Sequence, residues 1–494
     1  MQYLSTRDKS LRVSAAEAIK MGLSRDGGLF TPVNFPVLRA LDVEMLRGMS
    51  YPRRAAYIMG KYLEQFRPED LGLFAERAYG PDRFDAPGVA PLRQLDQRTW
   101  CLELWHGPTS AFKDMALQML PQLLSTSLRM TGEEKTACIL AATSGDTGKA
   151  AMEGFADVEQ TRILVFYPRD GVSEIQRLQM VTQEGDNVGV CAVEGNFDDA
   201  QNGVKRIFSD PAIREELEKR GCFLSSANSI NWGRILPQVV YYISAYCDLL
   251  NAKEIKLGDK VNYCVPTGNF GSILACYYAR RMGLPVGKLI CASNRNDVLT
   301  EFIRTGVYDR NRPFHATMSP SMDILISSNL ERLLFSLTQD TEEVKGYMAR
   351  LSETGRYQVS DRIRDRLQKR FKGYFCDDKE TQRVIRSMYD RHGYLIDTHT
   401  AVAFSALEKY RAETGDGAPA IVASTASPFK FCGSVLEALG ETTIASGLDA
   451  LDQLTERTGQ PAPAPLAGLR DKKVRFTQVV EKENMADAVR SLLE

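Results

Sequence analysis

Lys113 stands where an ammonium is out of place. It follows His106-Gly107-Pro108-Thr109-Ser110-Ala111-Phe112 and precedes Asp114 and an apolar stretch. Apolar residues at 115, 116, 119, 120, 123 and 124 share one helical face. Lys113 is therefore expected in the first turn of a largely buried helix, with Thr109 or Ser110 as its cap. Desolvating the charge is costly unless it is paired, and the positive end of a helix dipole disfavours a cation as well. Both effects lower a lysine pKa, and a lysine so tuned is the group that Schiff-base chemistry uses. The alternative is a snorkelling lysine whose stem packs while its head reaches water.

Four further segments could hold anions. Thr143-Ser144-Gly145-Asp146-Thr147-Gly148-Lys149 follows the apolar run 136–142 and opens an Ala-rich helix, so several backbone N–H groups meet at a helix N-terminus. It is not a nucleotide P-loop: the glycines are too close together, and Ala150 stands where a Ser or Thr would bind magnesium. A plain strand-to-helix turn is the competing reading. Pro266-Thr267-Gly268-Asn269-Phe270-Gly271-Ser272 repeats the design after the strand 261–265, and a dianionic phosphate is its natural guest. The dinucleotide fingerprint GxGxxG is absent, which disfavours NAD and FAD. In Ser225-Ser226-Ala227-Asn228-Ser229-Ile230-Asn231-Trp232-Gly233-Arg234, Asn231 and Arg234 are candidate phosphate ligands, although capping explains part of the segment. Ser424-Thr425-Ala426-Ser427-Pro428-Phe429-Lys430-Phe431 is a polar turn after the strand 420–423. Its Lys430, between two phenylalanines, either binds an anion or snorkels.

These segments need a frame. With 494 residues, two or three domains are expected, and 44% hydrophobic with 25% charged residues is the balance of a soluble globular protein. The 62 basic and 63 acidic residues leave no excess to favour nucleic acid or an anionic membrane as partner. No run reaches spanning length and the N-terminus has no leader character, so a cytoplasmic protein is expected. Ten scattered cysteines without a Cys-x-x-Cys pair read as reduced core thiols rather than a disulfide framework or a zinc site, and four histidines argue against a His-rich metal centre. Apolar runs at 100–105, 136–142, 162–167, 188–193, 261–266, 288–292 and 420–424 alternate with helical patterns at 198–209, 233–250 and 272–282. That alternation means α/β with parallel sheets. The expected division is a mostly helical N-terminal segment 1–92, an α/β core of two subdomains at 93–330 and 396–456, a helical insert 331–395, and a linker and tail 457–494 in which 473–478 adds a strand before a final helix.

Read together, HGPTSAFKD, SGDTG, PTGNFG and SINWGR resemble the motifs of threonine synthases, enzymes of fold type II that use pyridoxal 5'-phosphate (PLP). Tyr3-Leu4-Ser5-Thr6-Arg7 and Asp26-Gly27-Gly28-Leu29-Phe30-Thr31-Pro32 resemble the start of that family, so the likeness covers most of the chain. The resemblance implies a tryptophan synthase β-like fold with two parallel-sheet α/β domains. It implies that Lys113 carries the cofactor, and that Gly268, Asn269, Phe270, Gly271 and Ser272 hold its phosphate. Asp146 would lie near the ring hydroxyl and Thr425 would face the pyridine nitrogen. Ser144, Gly145 and Thr147 would hold the substrate carboxylate, and Asn231 and Arg234 its phosphate. Two positions depart from the family pattern: Ser272 stands where Asp or Asn is frequent, and Ser427 where many relatives have histidine. The implied reaction converts O-phospho-L-homoserine and water to L-threonine and phosphate by γ-elimination and β-hydration, in a monomer or small homo-oligomer. A phospho-lyase releasing a 2-oxo acid, or a non-catalytic PLP-binding protein, are the alternatives.

Overall fold

The computed structural model describes residues 1–492. Two sheets carry the architecture. One has five strands, all parallel, in the order Val479–Glu481, Val188–Glu194, Thr161–Pro168, Thr136–Ala142, Cys222–Ser225. The other has six, in the order Phe371–Phe375, Val286–Ser293, Val261–Pro266, Ala420–Ser424, Thr99–Glu103, Leu92–Asp96. Its pairs are parallel apart from the terminal Leu92–Asp96 with Thr99–Glu103. Helices cover both faces, as continuous apolar strands such as Ile139, Leu140 and Ala141, each fully buried, require.

The expected strands fall within a residue or two of their predicted bounds, and the expected helices appear as Phe197–Ser209, Trp232–Asn251 and Gly271–Met282. The helix Trp232–Asn251 is buried on nearly every side and packs against Gly271–Met282, against Tyr51–Gly60 of the N-terminal segment and against Asp114–Leu117 after Lys113.

Four readings change. The N-terminal segment is not only helical: Tyr3–Ser5, Arg12–Val13 and Phe30–Pro32 form an antiparallel sheet, strands too short to show a period in sequence. The helix after Lys113 is broken. Asp114–Leu117 and Leu120–Met130 are separate, with Pro121 seated in the first turn of the second, where it needs no N–H donor. Residues 331–395 do not form a separate helical insert, because Phe371–Phe375 pairs with Val286–Ser293 as the edge of the large sheet. In the tail, the strand is Val479–Glu481 rather than 473–478; it docks on Val188–Glu194, and the helix Met485–Leu492 closes over the small sheet.

Candidate active site

The carboxyl ends of both sheets converge on Lys113. Its segment is held by the turn after Ala420–Ser424: Phe112 donates its N–H to the Thr425 carbonyl at 2.8 Å, and Ser427 donates to the Ser110 carbonyl at 3.0 Å. This pairing, centred on Ala111 and Ala426, places Thr425 and Lys430 beside Lys113. Neither Thr109 nor Ser110 caps the helix, contrary to expectation. Asp114 instead accepts the Thr109 N–H at 2.8 Å and its hydroxyl at 2.7 Å, tying the turn back on itself. Ser110 adopts φ 57° at the tightest point of that turn, and Gly107 packs so closely on Asp114 that a Cβ would lie 2.6 Å from its carboxylate.

Lys113 is 9% exposed, so the snorkelling reading fails. Its Nζ lies 3.4 Å from the Ser321 hydroxyl and 4.9 Å from the centre of the Phe112 ring. Burial pulls its pKa down to about 8; the positive charges of Arg234 and Lys430 act in the same sense, while the carboxylates of Asp146 and Asp114 oppose them. An amine in this state is available for covalent and acid–base chemistry near neutral pH.

Lys430 does not snorkel either. It is 1% exposed, and its Nζ lies 2.7 Å from the Asp146 carboxylate and 2.9 Å from the Thr109 carbonyl. Burial would raise the Asp146 pKa, but the charges of Lys430 and Lys113 hold it well below the usual carboxylate range. Gln176 adds a hydrogen bond to Asp146 at 3.0 Å. Its side chain also lies under Gly145, whose φ of 128° and lack of a Cβ admit it.

Around Asp146 the loop 143–148 is organised by one hydroxyl. Thr143 Oγ1 accepts the N–H groups of Gly145 and Gly148 at 3.0 and 2.9 Å. The N–H groups of Asp146 and Thr147, in the first turn of the helix Asp146–Phe155, have no intrahelical acceptor. Ser144 and Thr147 are half-buried at the rim.

The second loop sits on the other side. Phe270 adopts φ 61° and turns the chain into the helix Gly271–Met282. Gly268 approaches Ser321 so closely that a Cβ would lie 2.5 Å from its carbonyl. This approach brings the loop against the residue whose hydroxyl meets Lys113. Asn269 is exposed, and its carbonyl accepts the backbone and side-chain N–H groups of Asn329. Ser272 is buried, and its hydroxyl is shared with those of Tyr241 and Tyr242 at 2.8 and 2.7 Å, leaving the first-turn N–H groups to face the loop.

Arg234 joins the same chamber. It is 5% exposed, burial alone pulls its pKa down to about 10, and its hydrogen-bond partner is the Ala227 carbonyl at 2.6 Å. Among the described residues no carboxylate lies within ion-pair distance of it. Asn231 is a correction: fully buried, it caps the helix Trp232–Asn251 through Gly233 N–H and donates to the Ile19 carbonyl, both at 2.9 Å. Its amide is spent on the fold.

Sequence reasoning missed Ser321, Gln176, Asn329, Arg332 and His399. His399 is 2% exposed, donates its Nδ1–H to the Asp397 carboxylate at 2.7 Å, and accepts the Ser321 N–H on its Nε2 at 3.1 Å. Only Gln176 carried a local signal, as the fourth residue of the capping box begun by Ser173. The others act across long sequence separations, which no local pattern reveals. Among the described residues no group of side chains could hold a metal ion, and no helix is long and apolar enough to cross a membrane.

Three families match this chain: "Pyridoxal-phosphate dependent enzyme" at residues 84–425, "Threonine synthase N terminus" at 2–79, and "Threonine synthase, C-terminal" at 400–492. The threonine synthase of Pseudomonas aeruginosa is 40% identical, over 87% of this chain and 89% of its own. Human "Threonine synthase-like 1" is also 40% identical, over 88% of this chain, which spans only 60% of that relative's length. The crystal structure of PLP-bound threonine synthase from Brucella melitensis superposes with a TM-score of 0.88 at 37% identity, covering 100% of both chains. With lysine, glycine loops and frame all in the order that fold type II requires, the chain belongs to the threonine synthase family of pyridoxal-phosphate-dependent enzymes.

Proposed function

We propose that the protein is a threonine synthase, converting O-phospho-L-homoserine and water to L-threonine and phosphate. The observation that carries this reading is Arg234: a guanidinium buried beside Lys113 with one carbonyl as its hydrogen-bond partner. Burying a cation without a counter-ion is costly, and a phosphate ester arriving in the chamber offsets that cost with charge-assisted hydrogen bonds.

The donor set fits PLP. Lys113 offers an amine of suitable pKa, and the Gly268–Gly271 turn leads into a helix whose first-turn N–H groups have no side-chain cap, the kind of terminus that holds a phosphate. In this reading Gly268, Asn269, Phe270, Gly271 and Ser272 hold the cofactor phosphate, Ser272 through its backbone. Thr425 faces the ring nitrogen and Asp146 the ring hydroxyl. Bound there, PLP supplies an electron sink for charge that develops on the substrate's α carbon. Ser144, Gly145 and Thr147 form the loop that receives the substrate carboxylate, with the Thr147 N–H and the hydroxyls of Ser144 and Thr147 as donors and Gly145 giving the close backbone approach. Lys113 Nζ removes and returns protons on the face it shares with the substrate, and Arg234 fixes the phosphate and steadies it as it leaves. A cytoplasmic setting, as a monomer or small homo-oligomer, belongs to the same reading; the ten cysteines, all free and buried, support it.

The test is to supply PLP and O-phospho-L-homoserine and to quantify phosphate, threonine and 2-oxobutyrate together. Equal phosphate and threonine are expected, and Lys113→Ala abolishes both. Phosphate accompanied by 2-oxobutyrate instead would make the protein a phospho-lyase, and absence of phosphate would overturn the substrate assignment.

A further inference from the structure

The three buried cations of the chamber share one well-placed carboxylate, and only one of them has it. Asp146 is the acidic group that acts most strongly on Lys113, yet its carboxylate lies 2.7 Å from Lys430 Nζ, while Lys113 points to the Ser321 hydroxyl at 3.4 Å. We propose that Lys430 is a positioning residue which keeps Lys113 free for covalent chemistry by occupying the Asp146 carboxylate that would otherwise pair with it. The inference rests on the functional reading above but concerns only the state of the protein's own amine.

The geometry for this is built in. Lys430 is anchored by the Thr109 carbonyl, within the turn that precedes Lys113, and Gln176 holds the Asp146 carboxylate from the other side. Asp146 therefore cannot swing to Lys113 without abandoning two partners. Remove Lys430, and a buried carboxylate is left without its counter-charge, with the Lys113 ammonium as the nearest replacement. Such pairing favours the protonated amine, the form unable to attack a carbonyl carbon. The charged groups facing Lys113 are Asp146, Arg234 and Lys430 from three different elements and Asp114 from its own, and His399 stands behind Ser321. Of these, Asp146 and Lys430 form the pair whose balance a single substitution tips.

Lys430 was open in sequence between an anion ligand and a surface lysine. The structure gives it an anion, and that anion is the protein's own Asp146.

The experiment is competitive labelling of the cofactor-stripped full-length protein with trace acetic anhydride, which reacts only with unprotonated amines. Mass spectrometry reads the Lys113 peptide across a pH series. Wild type is expected to show a midpoint near the ordinary working range, at about pH 8. In Lys430→Met the midpoint rises by about one unit, so roughly tenfold less amine is free at neutral pH. Lys430→Arg, which keeps the charge, stays with wild type, and Asp146→Asn together with Lys430→Met falls back towards it. A Lys430→Met midpoint equal to wild type overturns the proposal. Should that variant fail to fold by circular dichroism, Asp146→Asn alone decides: its midpoint falls below wild type if the carboxylate is the competitor, and an unchanged midpoint refutes it. The labelling needs neither cofactor nor substrate, so its outcome is separate from whether the enzyme forms threonine.

Discussion

Arg234 and Arg332 are both buried arginines whose pKa burial pulls down to about 10, and they solve that cost in opposite ways. Arg332, fully buried, donates to the carbonyls of Phe30 at 2.8 Å, Ser229 at 3.1 Å and Ile230 at 2.6 Å, and to the side chain of Asn329. It ties the N-terminal sheet to the segment that precedes Arg234. Asn329 carries the brace onward, donating to the Ser229 hydroxyl at 2.9 Å and the Asn269 carbonyl at 3.0 Å. Arg234, by contrast, meets one carbonyl. A guanidinium has five N–H donors, and those the fold leaves over are the ones a ligand can use. Identical residues with similar burial thus differ in function because one is satisfied by the protein and the other is left to be satisfied from outside.

The largest effect expected from breaking this contrast is on stability. Arg332→Met strands three carbonyls, one buried and two partly buried, and should cost about 3–5 kcal/mol, read as a lower urea midpoint or loss of soluble protein. A variant as stable as wild type would show that the brace is dispensable. Arg234→Met should spare the urea midpoint, because few protein contacts depend on it. Its loss should appear in catalysis, as a fall in kcat/KM of roughly 30- to 200-fold, about 2–3 kcal/mol of charge-assisted hydrogen bonding. Matching losses of stability in the two variants would erase the distinction. The smallest effect is the sharpest: inorganic phosphate at about ten to thirty times its Kd should stabilise the wild type by about 1.4–2 kcal/mol in thermal melts, and Arg234→Met much less. Equal stabilisation of both would move the phosphate site elsewhere.

Much of the candidate site's framework was legible beforehand because it sits in local patterns. The loops at 143–148 and 266–271 each follow an apolar strand and open a helix, and the structure places both as the sequence implied. Lys113 was conspicuous through its apolar surroundings. Asn231 misled because cap and ligand look alike in sequence: the same amide that could hold a phosphate holds Gly233 N–H and the Ile19 carbonyl instead. The strand Phe371–Phe375 was hidden among charged helices, and its assignment to the large sheet depends on pairing with Val286–Ser293, about eighty residues away.

By itself, then, the sequence determined the α/β class, the strand-end loops and the lysine, since period, glycine placement and an out-of-place charge are all properties of neighbouring residues. Tertiary structure alone decided which charge is paired with which. Lys113, Asp146, Arg234 and Lys430 come from four separate elements, and Lys430 reaches the chamber only because 425–427 pairs with 110–112. Burial magnifies each charge there, so small differences in position settle which cation takes the carboxylate and which remains for chemistry.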